Sequence, residues 1–433
     1  MRQDPLEAYA LRPLTQGGLF GVFLATCAIE GALDVLHAGV GCKGKTQRLL
    51  VEHDWGRESH TQLGWTELGE AEWIHDAAEP LVRNGIELCR RRNPQLMIVS
   101  ASSAVELTGV DLACAVARLR AAVPCPVAFV PHAGDAPDLW SGYAAVLAAV
   151  LELVPWGEPM AERHTVSFFG HFFHRHELDQ AANLVELRRL LESLGLALGP
   201  VFLGGEPPSS LLRAHRSDLL VRLPYAGTSA RELAERTRRK VLDGPLPLGL
   251  TATSRWLRAM GRLLALDAAL VDRLVEREEK KTRPRLELAR RALAGRRLAV
   301  LADSPSAAAW CGLGLELGLR PCLVALLDRS LGGETAFEHL LGSAGHARPP
   351  GLTVLQAPSL RRLRGSLEAL AEPPELVVRP DLSLRGSPWE ALPSVETGYP
   401  APHHHAIYPM PEFGYAGAVA QAQRLLDAWH RIH

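Results

Sequence analysis

Cys42 is the residue in this chain best placed to do redox chemistry. It follows His37-Ala-Gly39-Val-Gly41 and opens Lys43-Gly-Lys45. Leu33, Val35 and Leu36 read as a short buried strand, and His37 to Gly41 as the tight loop at its end. Glycine at 39 and 41 lets the backbone approach a bulky ligand with no Cβ in the way. A thiolate among backbone N–H groups and two lysines is stabilised as an anion, the form that binds iron. Taken alone, the stretch also describes a cysteine simply buried after a strand. A second candidate is Gly170-His171-Phe-Phe-His174-Arg175-His176. Histidines at a strand end can donate protons or hold a carboxylate, because imidazole titrates near neutrality. The competing reading is a polar surface loop. His403-His404-His405 resembles a metal-binding tract, or else an exposed stretch among prolines. Asp303-Ser-Pro-Ser306 reads as a helix N-cap. It lacks the glycines of a phosphate loop, and no Walker A sequence occurs, so ATP hydrolysis by this chain is not expected.

The elements that must position these residues alternate. Short apolar runs at Leu96–Val99, Val127–Val130, His164–Gly170, Ala197–Leu203, Leu219–Val221, Arg296–Ala302, Cys322–Leu327 and Leu376–Val378 read as strands. Helical patterns run from about 19 to 29, 67 to 92, 108 to 122, 177 to 194, 268 to 293, 307 to 317 and 416 to 429. Asn93-Pro94 stops one of these helices and Gly195 another. Strand–helix alternation of this kind predicts parallel sheets covered on both faces. Three doubly wound, Rossmann-like α/β units follow, at 1–160, 161–295 and 296–433. Ligands of such folds sit at the carboxyl ends of the strands, so the candidate functional loops are 37–46, 100–109, 170–176, 223–229 and 303–311.

Composition narrows the class. At 47% hydrophobic and 22% charged, the 433 residues suit a globular protein with a large core. A net charge of −1 gives no reason to expect a nucleic-acid or anionic-membrane partner. The seven cysteines are scattered and form no CxxC pair, which argues against a disulfide framework and against a zinc site made by this chain alone. Cys27, Cys89, Cys114 and Cys125 read as core. Cys311, near a strand end, reads as packed or as facing a crevice. With no signal region and no apolar membrane span, the expectation is a soluble cytoplasmic protein.

Taken together, the loops resemble the nitrogenase component 1 superfamily. That superfamily includes nitrogenase α and β subunits, cofactor-assembly scaffold proteins, and the dark-operative protochlorophyllide and chlorophyllide reductases. His37-Ala-Gly-Val-Gly-Cys42 matches the end of its first cysteine signature. Ser100-Ala-Ser-Ser103-Ala-Val-Glu106-Leu-Thr-Gly109-Val-Asp111 matches its second, except that Ser103 replaces the cysteine. Asn183-Leu-Val-Glu186-Leu-Arg-Arg-Leu190-Leu191, Pro224-Tyr-Ala-Gly-Thr228 and Gly414-Tyr-Ala-Gly417 resemble three further family elements. The departures resemble a β-type subunit, closest to the chlorophyllide-reductase kind. Gly17 stands where the family's first cysteine falls, leaving Cys42 as the single remaining thiolate.

The resemblance implies a 4Fe–4S cluster shared between unlike subunits, with Cys42 as this chain's metal ligand. His37, Gly39, Gly41 and Ser103 would surround it, Ser103 as an oxygen ligand, a helix cap or a non-bonding neighbour. An α-like subunit would complete the ligand set within a heterotetramer, since one chain supplies too few ligands. A nitrogenase-reductase-like ATPase would deliver electrons toward a small-molecule substrate. His171, His174 and His176 would face the family's active cavity as the catalytic candidates. No cysteine stands near Leu223-Pro224, where the α-type cofactor ligand would fall. The alternative function is a scaffold for assembling a nitrogenase-type cofactor.

Overall fold

The computed structural model describes residues 16–40, 54, 62–157, 164–227, 232, 235, 237–381 and 389–431. In chain order its regular elements are α1 (Gly18–Cys27), β1 (Ala32–His37), β2 (Leu63–Trp65), α2 (Glu70–His75), α3 (Glu79–Arg92), β3 (Leu96–Ala101), α4 (Ser103–Glu106), α5 (Leu112–Ala122), β4 (Val127–Val130) and α6 (Leu139–Leu151). Then come β5 (Thr165–Phe169), α7 (Leu178–Glu192), β6 (Ala197–Val201), α8 (Pro208–Leu211), β7 (Leu219–Arg222), β8 (Lys240–Asp243), α9 (Leu250–Leu264) and α10 (Ala268–Leu293). The last part holds β9 (Arg297–Ala302), α11 (Ser304–Glu316), β10 (Arg320–Leu326), α12 (Gly333–Ala344), β11 (Thr353–Gln356), α13 (Leu360–Glu368), β12 (Leu376–Arg379), β13 (Ser394–Glu396) and α14 (Gly414–His430).

The strands form three sheets, ordered β2-β1-β3-β4, β6-β5-β7-β8 and β11-β10-β9-β12-β13. Every strand pair in them is parallel. Parallel strands are buried on both faces by their crossover helices, and all residues of β1, β3 and β5 are buried. One apolar core runs through all three sheets, and a smaller cluster covers the other face of the first. This is the α/β, three-sheet architecture expected from the sequence.

The Gly17-Gly18-x-x-Gly21 stretch has a packing role. A Cβ on Gly21 would lie 1.7 Å from the Leu139 carbonyl oxygen, and one on Gly142 would lie 1.9 Å from that of Gly18. α1 and α6 therefore pack backbone against backbone, which only glycine permits.

Several local expectations are corrected. The 67–92 pattern is two helices, α2 and α3; the helix expected over 108–122 is α5, which starts at Leu112, and the short α4 lies before that range. Asp111 starts α5 by accepting the Cys114 N–H with its side chain. Cys114 is thereby on the exposed first turn and is not a core residue. Cys27, Cys89 and Cys311 are buried as expected, Cys125 is half-buried, and the Cys89 and Cys125 sulfurs lie 3.7 Å apart. Asp303 caps α11 through the Ser306 N–H, as its sequence predicts.

Strand order matters for the site. Each sheet has one place where the chain leaves in opposite directions from neighbouring strands: between β1 and β3, between β5 and β7, and between β9 and β12. Ligand crevices open at such points, beyond the carboxyl ends of the strands. The loops flagged in the sequence begin at these ends: His37 and Ser102, Gly170 and Leu223, and Asp303.

Candidate functional site

At the end of β1, His37 is completely buried. Its Nδ1 lies 2.8 Å from Thr66 Oγ1, which also accepts the Ala38 N–H at 3.2 Å. The threonine hydroxyl, already an acceptor from Ala38, is free to donate to Nδ1, which leaves Nε2 as the protonated nitrogen. Nε2 is buried and makes no hydrogen bond of good geometry. Burial pushes the His37 pKa down to about 4, against a weaker pull from the Ala77 backbone, so the ring is neutral at pH 7. From the neighbouring strand end, the Ser102 N–H donates to the His37 carbonyl at 3.0 Å, and the buried Ser102 hydroxyl makes no hydrogen bond of good geometry. Ser103 is the first residue of α4; Ser102 holds the cap position with no side-chain capping bond, so Ser103 does not cap this helix. Gly39 pairs with Leu68 and faces the indole of Trp73. Gly41 and Cys42 lie outside the described residues, as do Lys43 and Lys45.

These facts decide how far the described residues fit an iron–sulfur cluster. Two buried polar atoms without partners, His37 Nε2 and Ser102 Oγ, lie at the β1/β3 strand ends from which the Cys42 loop leaves. Such atoms carry a cost of about 1–3 kcal/mol each unless something polar meets them. Among the described residues, His37 and Ser102 supply polar side chains at these strand ends that fit a bound polar or metal-containing group.

The second crevice is built by the histidine loop, which is packed inside the protein and is not a surface loop. Gly170 opens it at φ 79°, where a Cβ would strike the Ala226 backbone nitrogen at 2.3 Å. Tyr143 holds the loop from below: its hydroxyl accepts the Phe173 N–H at 2.9 Å and lies 3.1 Å from the His171 carbonyl oxygen. His171 is 1% exposed, and neither ring nitrogen makes a hydrogen bond of good geometry; Gln180 is the amide that bears on it. Its ring meets Phe413 edge-on at 5.6 Å. Burial lowers its pKa to about 4, only partly countered by Gln180 and Asp179. His174 is also buried, 3.3 Å from the Gln180 amide nitrogen, and burial beside Arg175 drives its pKa well below the ordinary value. His176 is half-buried, with Nδ1 2.8 Å and backbone nitrogen 3.2 Å from Asp54 Oδ2. The three histidines thus occupy different environments: His171 buried against Phe413 within reach of Gln180 and Asp179, His174 buried against the Gln180 amide, and His176 paired to a carboxylate.

Arg175 and Asp54 are the residues that sequence reasoning missed. Arg175 is 2% exposed. Its Nη2 donates to Asp179 at 2.6 Å, and its Nη1 donates to the Ala401 and His404 carbonyls at 2.9 and 2.6 Å. The loop is thereby fastened to the segment before α14. The resemblance motifs act as similar fasteners. Asn183 Oδ1 accepts the Glu412 and Phe413 N–H groups at 2.7 and 3.0 Å, and Glu186 accepts the Ala416 N–H at 3.2 Å, so α7 caps α14. Tyr225 donates to Asp303 at 2.7 Å and also contacts Ser306, joining the 224–227 turn to the third sheet. Of the His403–His405 tract, His403 is exposed and 3.2 Å from Glu396, while His405 pairs with Glu177 at 2.7 Å.

The comparisons with known proteins agree with this architecture. The model of the family described as Nitrogenase component 1 type Oxidoreductase matches residues 18–430. The chain is 22% identical over 422 residues to the nitrogenase iron-molybdenum cofactor biosynthesis protein NifN of Klebsiella pneumoniae, covering 90% of this chain and 85% of that one. It is 26% identical over 414 residues to the B-type polypeptide of the light-independent protochlorophyllide reductase of Methylobacterium sp. (strain 4-46), covering 92% and 76%. Against the N-type polypeptide of that enzyme from Rhodopseudomonas palustris (strain BisB18), the match is 29% over 223 residues and spans about half of each chain, 50% and 49%. A solved structure described as nitrogenase Cp1 at pH 6.5 superposes with a TM-score of 0.80 at 18% identity, covering 97% of this chain and 93% of that one. With the family model spanning the three sheets and all three crevices, the chain belongs to the nitrogenase component 1 type oxidoreductase family.

Proposed function

We propose that this chain is the β-like subunit of a nitrogenase-like oxidoreductase. In this reading it is a cytoplasmic protein of three α/β domains divided near 160 and 295. It pairs with an α-like component 1 subunit in a heterotetramer, shares an intersubunit 4Fe–4S cluster through Cys42, and receives electrons from a nitrogenase-reductase-like ATPase to reduce a small molecule. The observation that carries the reading is the set of buried polar side chains gathered at two strand-end crevices: His37 and Ser102 at one, His171 and His174 at the other. Cofactor and substrate groups are what such side chains ordinarily meet. When bound, the cluster would supply one-electron transfer. Cys42 would hold it, with His37, Gly39, Gly41 and Ser103 around it. His171, His174 and His176 would be the catalytic candidates, His176 as a proton carrier oriented by Asp54, and His171 and His174 as neutral rings that hydrogen-bond the substrate.

The near-full-length likeness to a protochlorophyllide reductase polypeptide supports the catalytic role. The likeness to NifN over 90% of the chain supports a second reading, a scaffold on which a metal cofactor is assembled. The test is anaerobic reconstitution of the chain with its α-like partner and the ATPase. The reductase reading predicts that the cluster's reduced EPR signal appears only with MgATP and the ATPase present. A preparation that passes iron to an acceptor protein, and is never reduced in an ATP-dependent way, would instead establish the scaffold.

A further inference from the structure

Among the described residues, Asp381, Glu396 and His403 bring one donor atom each to within 4.8 Å of the others. They come from three separate segments: just past the end of β12, the end of β13, and the loop leading toward α14. His403 Nδ1 lies 3.2 Å from Glu396 Oε1 and 3.9 Å from Asp381 Oδ1. Zinc bonds to nitrogen and oxygen are about 2.0–2.1 Å, so ligand atoms around a tetrahedral ion stand roughly 3.3 Å apart. The His403–Glu396 pair already has that spacing, and the His403–Asp381 pair is somewhat wider.

The backbone already holds the donors in place. The Asp381 N–H donates to the Pro400 carbonyl at 2.6 Å, and the His403 N–H donates to Glu396 Oε2 at 3.0 Å. The two carboxylates are largely buried, whereas the His403 side chain is 74% exposed. One face is therefore open for an ion to enter and keep water as a remaining ligand. Two carboxylates set side by side repel each other; burial and the Asp381 charge raise the Glu396 pKa, while His403 opposes that rise. Arg424 donates to the Glu396 backbone carbonyl, leaving the carboxylate to His403 and Asp381. Arg379 is close enough to feel both carboxylates.

We propose that Asp381, Glu396 and His403 form a binding site for a divalent cation of the zinc class, separate from the Cys42 loop. One imidazole with two carboxylates is a borderline-hard donor set that suits Zn²⁺, with Mn²⁺ or Fe²⁺ following more weakly; it lacks the thiolates of a copper(I) site and the all-oxygen shell of a calcium site. The ion would tie the β12 and β13 ends to the loop that carries the Ala401 and His404 carbonyls. Those carbonyls receive Arg175, so the ion braces from outside the same loop that fastens the histidine crevice from inside.

The full-length chain, stripped with EDTA, is titrated with Zn²⁺ by calorimetry and compared with Glu396→Gln and His403→Ala. The expected result is a site whose affinity falls more than about tenfold in both variants, while their metal-free melting temperatures stay at the wild-type value. Cys42→Ala keeps the site. Zn²⁺ should also raise the wild-type melting temperature, as any ligand specific to the folded state does. Titrations in which both variants bind Zn²⁺ as the wild type does, or in which the wild type binds none, overturn the proposal.

Discussion

Arg175→Met is expected to lower the stability of the chain by about 3–5 kcal/mol, the usual cost of removing one partner from a buried ion pair. The guanidinium has an unusual load of contacts: the Asp179 carboxylate on one edge and two carbonyls from a segment more than two hundred residues away on the other. Methionine fills much of the space but leaves Asp179 ionised and buried, and strips Ala401 and His404 of their donor. Asp179 keeps one compensation, the Gln180 N–H at 2.8 Å, so the loss should fall short of complete unfolding. Arg175→Lys retains the charge but cannot reach three acceptors from a planar fork, and should recover only part of the loss. Urea denaturation checks both. A loss under about 1 kcal/mol for Arg175→Met would mean that the loop is not held through this residue.

The second large effect is acid sensitivity. His37 and His171 accept protons near pH 6.5 when unfolded but only at about 4 when folded. Between those values the unfolded chain binds more protons, so stability falls as pH drops through this window and is fully retained above it. Each ring accounts for up to about 3 kcal/mol at the acid end. Buried carboxylates act oppositely. Burial raises Asp303 to about 6 and raises Asp34 strongly, so these groups take up protons in the folded state and partly offset the loss. The clean observable is therefore the difference between wild type and His171→Leu. That variant should lose less stability between pH 7 and pH 4.5, by about 2–3 kcal/mol. Parallel stability–pH curves would show that His171 protonates normally in the folded protein.

The sequence shows the plan of the fold where its patterns have contrast. β1, β3, β4 and β9 are short apolar runs between turn signals, and α10 alternates charge with a regular apolar stripe, so each is readable. α6 is not: Leu139–Leu151 is apolar on almost every side, because it packs against α1 and lies inside the core, and a helix without a polar face shows no 3.6-residue period. The edge strands β8, β11 and β13, of three or four residues, are too short to show alternation. α9 and α13 are not among the helices expected from the sequence although their buried residues recur at helical spacing, Leu250, Trp256, Leu257 and Met260 in one and Leu360, Leu363 and Leu367 in the other.

The site was legible in part. The strand-end glycines and histidines mark the crevices, because few other reasons put such residues beyond buried strands. What holds them could not be read. Asp54 stands 122 residues before His176, and Arg175 looks like one more polar residue in a histidine-rich loop. Asn183 and Glu186 were recognised as a motif, but their work, supplying acceptors to the start of α14, is visible only once the first turn of that helix is beside them. Gly41 and Cys42 remain inferred from sequence, outside the described residues.

The most direct test of the shared-cluster reading is to purify the chain anaerobically with its α-like partner and measure iron and the reduced EPR signal, wild type against Cys42→Ala. A shared cluster predicts about four irons per heterodimer, as a 4Fe–4S centre requires, with the signal lost or altered in the variant. Iron-free complexes, or a signal indifferent to Cys42, would contradict it.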